Sequence, residues 1–170
     1  MKKTKQLTIA ALLMTIGIII PMVMPKLHAP FATYTLGSHV ALMIAMFISP
    51  TATALVAVGT AYGFLITTGD LVALRALSHI VFALCGSFYI AKHKDVLSTP
   101  AKLWTFSLWI GLIHVVMECI VVYLYYFGGT QSGENFFVTV ILAVGIGGLI
   151  HSLVDFFIGA KVVTVLKLDK

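Results

Sequence analysis

The stretch LVALRALSHIVFALCGSFYIA, residues 71–91, decides the fold class. It is long enough for an α-helix to cross the hydrocarbon core of a bilayer, which takes about 20 predominantly apolar residues. Arg75 is the one permanently charged side chain in it. A run of this length and composition predicts a transmembrane helix rather than a helix of a soluble protein.

Comparable apolar runs lie on both sides of this stretch. Ser49-Pro50-Thr51 interrupts the second run, and proline suits a helix start better than a helix interior, so a short helix 2 followed by helix 3 is predicted there. Helix 4 is the stretch quoted above. The full set of predicted helices covers residues 7–24, 36–66 as two helices, 71–91, 101–127 and 136–165.

The composition of the whole chain agrees with these helices. Its 170 residues are 60% hydrophobic and 10% charged, with a mean hydropathy of +1.07, whereas about 25% of the residues of a soluble domain are charged. We therefore predict an all-α integral membrane protein, a compact bundle of six transmembrane helices that forms a single domain over residues 1–170.

The distribution of Lys and Arg predicts the orientation of the bundle. Cytoplasmic segments carry an excess of these residues. With six crossings and a cytoplasmic N-terminus, nine of the eleven fall on the inner side, so both termini are expected to be cytoplasmic. These nine are Lys2, Lys3, Lys5, Lys92, Lys94, Lys102, Lys161, Lys167 and Lys170. The first apolar run is too long for a typical signal peptide, and we interpret it as a retained helix.

Ionisable side chains within the apolar runs are functional candidates, because each is costly in lipid unless it is paired or solvated. They are Arg75, Glu118 and Asp155, together with His39, His79, His114 and His151. Arg75 could snorkel to the headgroups, or it could face the bundle and bind the carboxylate of a ligand or of Glu118. His79 lies one turn deeper and could share that pocket or form an interhelical hydrogen bond.

His151 and Asp155, one turn apart, are expected to tie helices together by hydrogen bonds. A metal site that adds His114 and Glu118 is the alternative, and it would make the chain an intramembrane metalloenzyme. The sequence lacks a metal signature such as H-E-x-x-H, so we expect no metal, no other cofactor and no enzyme.

Aromatic and small residues supply the remaining candidates. Tyr62 and Tyr123 could stack on a planar ligand or belong to an interfacial aromatic belt, and Asn135 could cap a pocket from a loop. Pairs of small residues four positions apart favour close helix contacts, either inside the bundle or with another membrane protein. These pairs are Ala11 and Thr15, Ala41 and Ala45, Gly59 and Gly63, and Gly148 and Ser152.

Four segments resemble the substrate-binding (S) components of energy-coupling factor (ECF) vitamin transporters, the niacin type above all. The segments are Thr35-Leu-Gly-Ser-His-Val40, Phe47-Ile-Ser-Pro50, Gly59-xxx-Gly63-Phe64 and Arg75-Ala-Leu-Ser-His-Ile80. The resemblance implies a multi-pass protein of a bacterial plasma membrane, with six helices, cytoplasmic termini and a vitamin site in the outer half. It also implies two kinds of partner, a transmembrane coupling protein and two ATPase subunits, and no nucleic acid.

The resemblance and the charge pattern together give a candidate site for nicotinate, a planar aromatic anion. Its predicted residues are Arg75, His79, His39, Tyr62, Glu118, Tyr123 and Asn135. Helix 1 of such proteins docks on the coupling protein through A-x-x-x-A, which Ala11 and Thr15 match with one substitution, and no Walker motif is present. Open alternatives are an S component for pyridoxine, hydroxymethylpyrimidine or pantothenate, and a small carrier or channel that works alone.

Overall fold

A computed structural model describes residues 3–30, 32–126 and 138–168. Among these residues, five helices are long and apolar enough to cross a membrane: α1, α3, α4, α5 and α6. An all-α membrane fold is therefore confirmed. The elements in chain order are α1 (Lys3–Val23), β1 (Lys26–Ala29), β2 (Ala32–Thr35), α2 (Val40–Met46), α3 (Pro50–Thr67), α4 (Asp70–Lys92), α5 (Pro100–Tyr126) and α6 (Val140–Val165).

Side-chain contacts give the directions of the first three long helices. The Ser49 hydroxyl, just before α3, donates a hydrogen bond to the Gln6 side chain near the start of α1 at 3.4 Å. Further along both helices, Gly63 packs against Ile18. Helices α1 and α3 are thus parallel, and α4 runs back after a tight turn in which Gly69 has a φ of +121°.

The remaining helices also alternate in direction along the chain. Trp104 at the start of α5 stacks edge-on against Phe157 in the second half of α6, with ring centroids 4.5 Å apart. The short helix α2 runs alongside α6, since its Met43 lies against Gly159. Helices α1, α3 and α5 therefore point one way and α2, α4 and α6 the other. As a result, the start of α1 and the end of α6 lie at the same end of the bundle.

Two local features differ from the sequence-based prediction. Between the predicted helices 7–24 and 36–66, where no regular element is predicted, β1 and β2 pair as an antiparallel hairpin in which Lys26 faces Thr35 and Ala29 faces Ala32. Helix 2 begins at Val40 rather than at Leu36, because Gly37 adopts a φ of +84° in the turn between them. With seven residues, α2 is about 10 Å long and does not span a bilayer by itself.

Helix α6 begins with a π-helical segment, Val140–Gly147, and continues as an α-helix over Gly148–Val165. Single π-helical turns inside α-helices are frequent at functional sites. The Tyr34 hydroxyl of β2 donates to the carbonyl oxygen of Ala143 in this segment. The hairpin is thereby fixed over one end of the bundle.

The small residues of α3 serve internal packing. Gly59 lies against Met14 and Gly63 against Ile18, so both glycines of the pair admit side chains of α1. Of the two roles considered for this pair, the structure supports contact inside the bundle. The absence of a Cβ matters most at Gly63, where the neighbouring side chain is β-branched and has little freedom to move.

We predict that Gly63→Val destabilises the bundle. An added side chain would collide with Ile18 and push α1 away from α3; overpacking of this kind costs about 1–3 kcal/mol. Thermal unfolding of the purified protein in detergent should show a lower Tm than wild type. Val58→Leu, on the half-exposed face of the same helix, is the control and should leave the Tm unchanged; equal Tm values for Gly63→Val and wild type would contradict the proposed packing.

Candidate functional site

A cavity of about 490 Å³ lies beneath the hairpin, between α1, α2, α3 and α4. Its volume falls in the range of about 300–1,000 Å³ typical of small-molecule sites. One wall is apolar and includes Leu42, Ala57 and Phe64. Another part of the lining is a polar wall that includes Arg75, His79, Glu118, His39 and His151. An apolar chamber with a few convergent polar groups is the usual form of a site for a small organic ligand.

Arg75 and Glu118 form the ionic centre of the polar wall. The guanidinium donates from Nη2 to Oε2 of Glu118 at 3.0 Å and from Nε to Oε1 at 3.3 Å. The arginine side chain is only 13% exposed, so it faces the bundle rather than snorkelling to the headgroups. The predicted pairing with Glu118 is confirmed. A paired, bidentate contact is what allows both charges to be buried.

His79 completes this group. Its Nε2 lies 2.9 Å from Oε1 of Glu118, and because an ionised carboxylate can only accept, this nitrogen carries the proton and donates. His79, which lies one turn from Arg75 on α4, therefore binds the same Glu118 carboxylate as Arg75 does. Two donors of α4 and one acceptor of α5 thus fix the relative positions of the two helices at the level of the cavity.

Asp155 of α6 forms a second polar centre, and it is fully buried. Its carboxylate accepts hydrogen bonds from the backbone N–H of Gly37 at 2.7 Å and of His39 at 2.9 Å, and from Nδ1 of His39 at 3.1 Å. These N–H groups belong to the turn that opens α2, whose N-cap has no side-chain acceptor of its own. Asp155 therefore caps α2 from another helix, which confirms that it ties helices together.

His39 links the two centres. Its ring centroid lies 4.8 Å from that of His79, 4.7 Å from that of His114 and 5.0 Å from that of His151. Four imidazoles thus meet near the floor of the cavity. They come from the turn before α2, from α4, from α5 and from α6, so only the folded chain brings them together.

Tyr34 closes the site from above. Burial raises the pKa of its phenol, so the hydroxyl stays protonated and can donate to the Ala143 carbonyl. The ring lies 5.4 Å from the ring of His151. The sequence places Tyr34 in an outer loop that could cap a pocket, but it does not connect this residue with α6.

The structure brings together four of the seven predicted substrate-binding residues, namely Arg75, His79, His39 and Glu118. Tyr62 and Tyr123 do not line the cavity and are 65% and 39% exposed. On a helix Tyr62 is turned about 200° from Thr60, which does line it, and Tyr123 about 140° from Glu118. Asn135 lies outside the described residues. The role of these residues in substrate binding stays a prediction.

Several cavity residues were not among the predicted site residues. Ala57, Thr60 and Phe64 line it from one face of α3, at the three- and four-residue spacing of a helix face. His151, predicted to tie helices together or, in the alternative, to bind a metal, also lines it, as does Ser38, whose hydroxyl lies 3.1 Å from Nε2 of His151. The spacing on α3 was visible in the sequence, but not which face meets the cavity.

Comparison with known proteins gives one informative similarity. No protein-family model matches the chain, and no solved structure shows significant similarity to it. Among curated proteins, the chain is similar to the niacin transporter NiaX of Lactococcus lactis subsp. cremoris. The two are 38% identical over 157 residues, which is 91% of this chain and 71% of the relative. The similarity therefore covers nearly all of the bundle.

We predict that Asp155→Asn destabilises the protein. An amide keeps one acceptor oxygen but turns its NH2 group towards N–H donors of the turn, and leaving such buried donors unsatisfied costs about 1–3 kcal/mol. The Tm in detergent should fall accordingly. Asp95→Asn, on an exposed linker where Asp95 pairs with Lys102, is the matched control and should have no measurable effect. A Tm for Asp155→Asn equal to that of the control would exclude the capping role.

Proposed function

The chain belongs to the niacin-type family of S components of ECF vitamin transporters, and from this premise we propose that it binds nicotinate in the cavity beneath the hairpin. It is a multi-pass protein of the cell membrane. The observation that carries the proposal is the buried Arg75–Glu118 pair in the wall of a cavity of suitable size. A guanidinium held in such a place is a host for a carboxylate.

The ionic end of nicotinate fits the polar wall. Glu118 neutralises Arg75, so the buried positive charge is maintained at little cost. The carboxylate of nicotinate then joins Glu118 as a partner of the planar guanidinium, which matches a carboxylate with two parallel hydrogen bonds. The hydrogen bond that Nε2–H of His79 donates to Oε1 of Glu118 keeps that carboxylate in place while Arg75 engages the ligand.

The ring of nicotinate fits the apolar part of the cavity lining. Phe64 offers an aromatic face, and Leu42 and Val72 add apolar surface around it. Thr60 also lines the cavity, and its hydroxyl is buried without a hydrogen-bond partner among the described residues. That hydroxyl can donate to the pyridine nitrogen, which would remove the cost of leaving it unsatisfied.

The other candidate vitamins are less well matched to Arg75 and Phe64. Pyridoxine and hydroxymethylpyrimidine are neutral and do not need a buried arginine. Pantothenate carries a carboxylate, but it has no ring for Phe64 to contact. The arginine and the aromatic wall together therefore favour nicotinate over each alternative.

The proposed orientation places the cavity on the outer side of the membrane. Cytoplasmic ends of membrane proteins are rich in Lys and Arg. The end of the bundle opposite the hairpin carries Lys3, Lys5, Lys92, Lys94, Lys102 and Lys167. With that end in the cytoplasm, the segment of the hairpin and α2 completes a sixth crossing, both termini lie inside, and the cavity faces the external supply of the vitamin.

Energy for import would come from a coupling protein and two ATPase subunits that bind this chain. Ala11 and Thr15 lie on the exposed side of α1. The Thr15 hydroxyl donates to the Ala11 carbonyl at 3.0 Å, so its hydrogen bond is satisfied and the face presented to a partner is small and apolar. Faces of this kind let helix backbones approach closely in membranes.

We predict that Arg75→Gln weakens nicotinate binding about 10- to 100-fold, as expected for the loss of a charged hydrogen-bonded pair of about 1.5–3 kcal/mol. Calorimetry on the purified chain measures it. Lys92→Gln, which removes the same charge at the other end of the bundle, is the control. Wild-type protein should also prefer nicotinate to nicotinamide, its neutral isostere. Equal affinity for these two ligands would refute the role of Arg75 even if the variant proved unstable.

We predict that Ala11→Trp abolishes ATP-driven nicotinate uptake by the assembled transporter in proteoliposomes, because a large side chain blocks close docking on α1. Binding of nicotinate to the isolated variant should be unchanged. Val116→Trp, on the exposed face of α5, is the control and should transport normally. Uptake by the wild-type chain alone, without the partner proteins, would instead support a carrier that works by itself.

A further inference from the structure

Three histidines and a glutamate converge at the floor of the cavity. One potential ligand atom from each of His39, His79, His114 and Glu118 lies within 4.8 Å of the corresponding atom of the other three. His39 comes from the turn before α2, His79 from α4, and both His114 and Glu118 from α5. All four residues are buried. Imidazole and carboxylate groups gathered in this way are the ligands preferred by zinc and its transition-metal neighbours.

His114 needs a partner that the described residues do not supply. Its side chain is 1% exposed, and neither ring nitrogen makes a hydrogen bond within the described part of the chain. The nearest acidic oxygen, Oε1 of Glu118, lies 3.7 Å from its Nε2. A buried imidazole that leaves both nitrogens unsatisfied is costly, and this one is aimed at the same oxygen that His79 binds.

The spacing suits a tetrahedral ion. Zinc–nitrogen distances of about 2.0–2.1 Å in a tetrahedron place ligand atoms about 3.3 Å apart. Around Oε1 of Glu118, Nε2 of His79 lies at 2.9 Å and Nε2 of His114 at 3.7 Å, values on either side of that distance. The remaining pairs of ligand atoms all lie within 4.8 Å of one another.

Partners that orient the ligands are already in place. Nδ1 of His39 is held at 3.1 Å by Oδ2 of Asp155, which leaves Nε2 for an ion. Arg75 holds the Glu118 carboxylate by both oxygens, Oε2 at 3.0 Å and Oε1 at 3.3 Å, and so fixes the direction in which Oε1 faces His79 and His114. Hydrogen bonds of this type fix the tautomer and direction of metal ligands in known sites.

We propose that His39, His79, His114 and Glu118 bind a divalent transition-metal ion of the zinc class at the floor of the cavity. The alternative set of His39, His151 and Asp155 is less suitable, because Asp155 is already occupied by two backbone N–H groups. The ion and Arg75 carry three positive charges against two on Glu118 and Asp155. The site therefore reaches neutrality when a monoanion enters the cavity.

The test uses the full chain purified in detergent with a tag that contains no histidine. It is loaded with Co²⁺ or Zn²⁺ and desalted, and the bound metal is measured by elemental analysis. We expect about one ion per chain in wild type, and visible absorption bands of tetrahedral Co²⁺. His114→Gln should lose the ion, whereas His93→Gln, which alters an exposed histidine after α4, should retain it.

Two outcomes overturn the proposal. One is wild-type protein without bound metal or without tetrahedral Co²⁺ bands, a result that does not depend on the folding of any variant. The other is equal metal content in wild type and in a monodisperse His114→Gln variant, which would assign the ion to another site. No vitamin is present in either assay, so the metal site and nicotinate binding can fail independently.

Discussion

A carboxylate buried in lipid has to be surrounded by donors, and the two carboxylates at the cavity set the positions of the elements around it. Glu118 on α5 is met by Arg75 and His79 of α4. Asp155 on α6 is met by the turn that opens α2. Because each acceptor and its donors lie on different elements, neither charge is compensated until those elements are packed together. The charged side chains that link these elements therefore lie at or next to the cavity.

The apolar part of the structure follows from this arrangement. Only small residues let α1 lie close against α3, where Gly63 faces Ile18. Above the cavity the chain continues as the hairpin rather than as a helix. Helix α2 is too short to fill that space, and its N-terminal turn is turned towards Asp155. A full-length second helix would have packed through the region where the ligand is proposed to bind.

The sequence predicts the long helices well, because length and apolarity are local properties. It gives Glu118 as one of the alternative partners of Arg75, since an ionisable group in lipid has to be paired or solvated. It does not predict the hairpin or the phase of each helix, because both depend on contacts between distant elements. Tyr62 and Tyr123 have rings that could stack on a planar ligand, but the sequence does not show which face of their helices packs inward. His39 and His79 are predicted to share one site, but the contact of His39 with His114 is not predicted, since separate elements supply the two rings.

The bond between Asp155 and Gly37 spans 118 residues, and this separation has a consequence for biogenesis. Helices of a nascent membrane protein leave the insertion machinery in chain order, so the turn before α2 is synthesised long before its cap. Until α6 arrives, its backbone N–H groups have no carboxylate to bind, and contacts so distant along the chain are slow to form. The capping of this turn is thus completed last, and a chain that stops before α6 would reach the membrane without it.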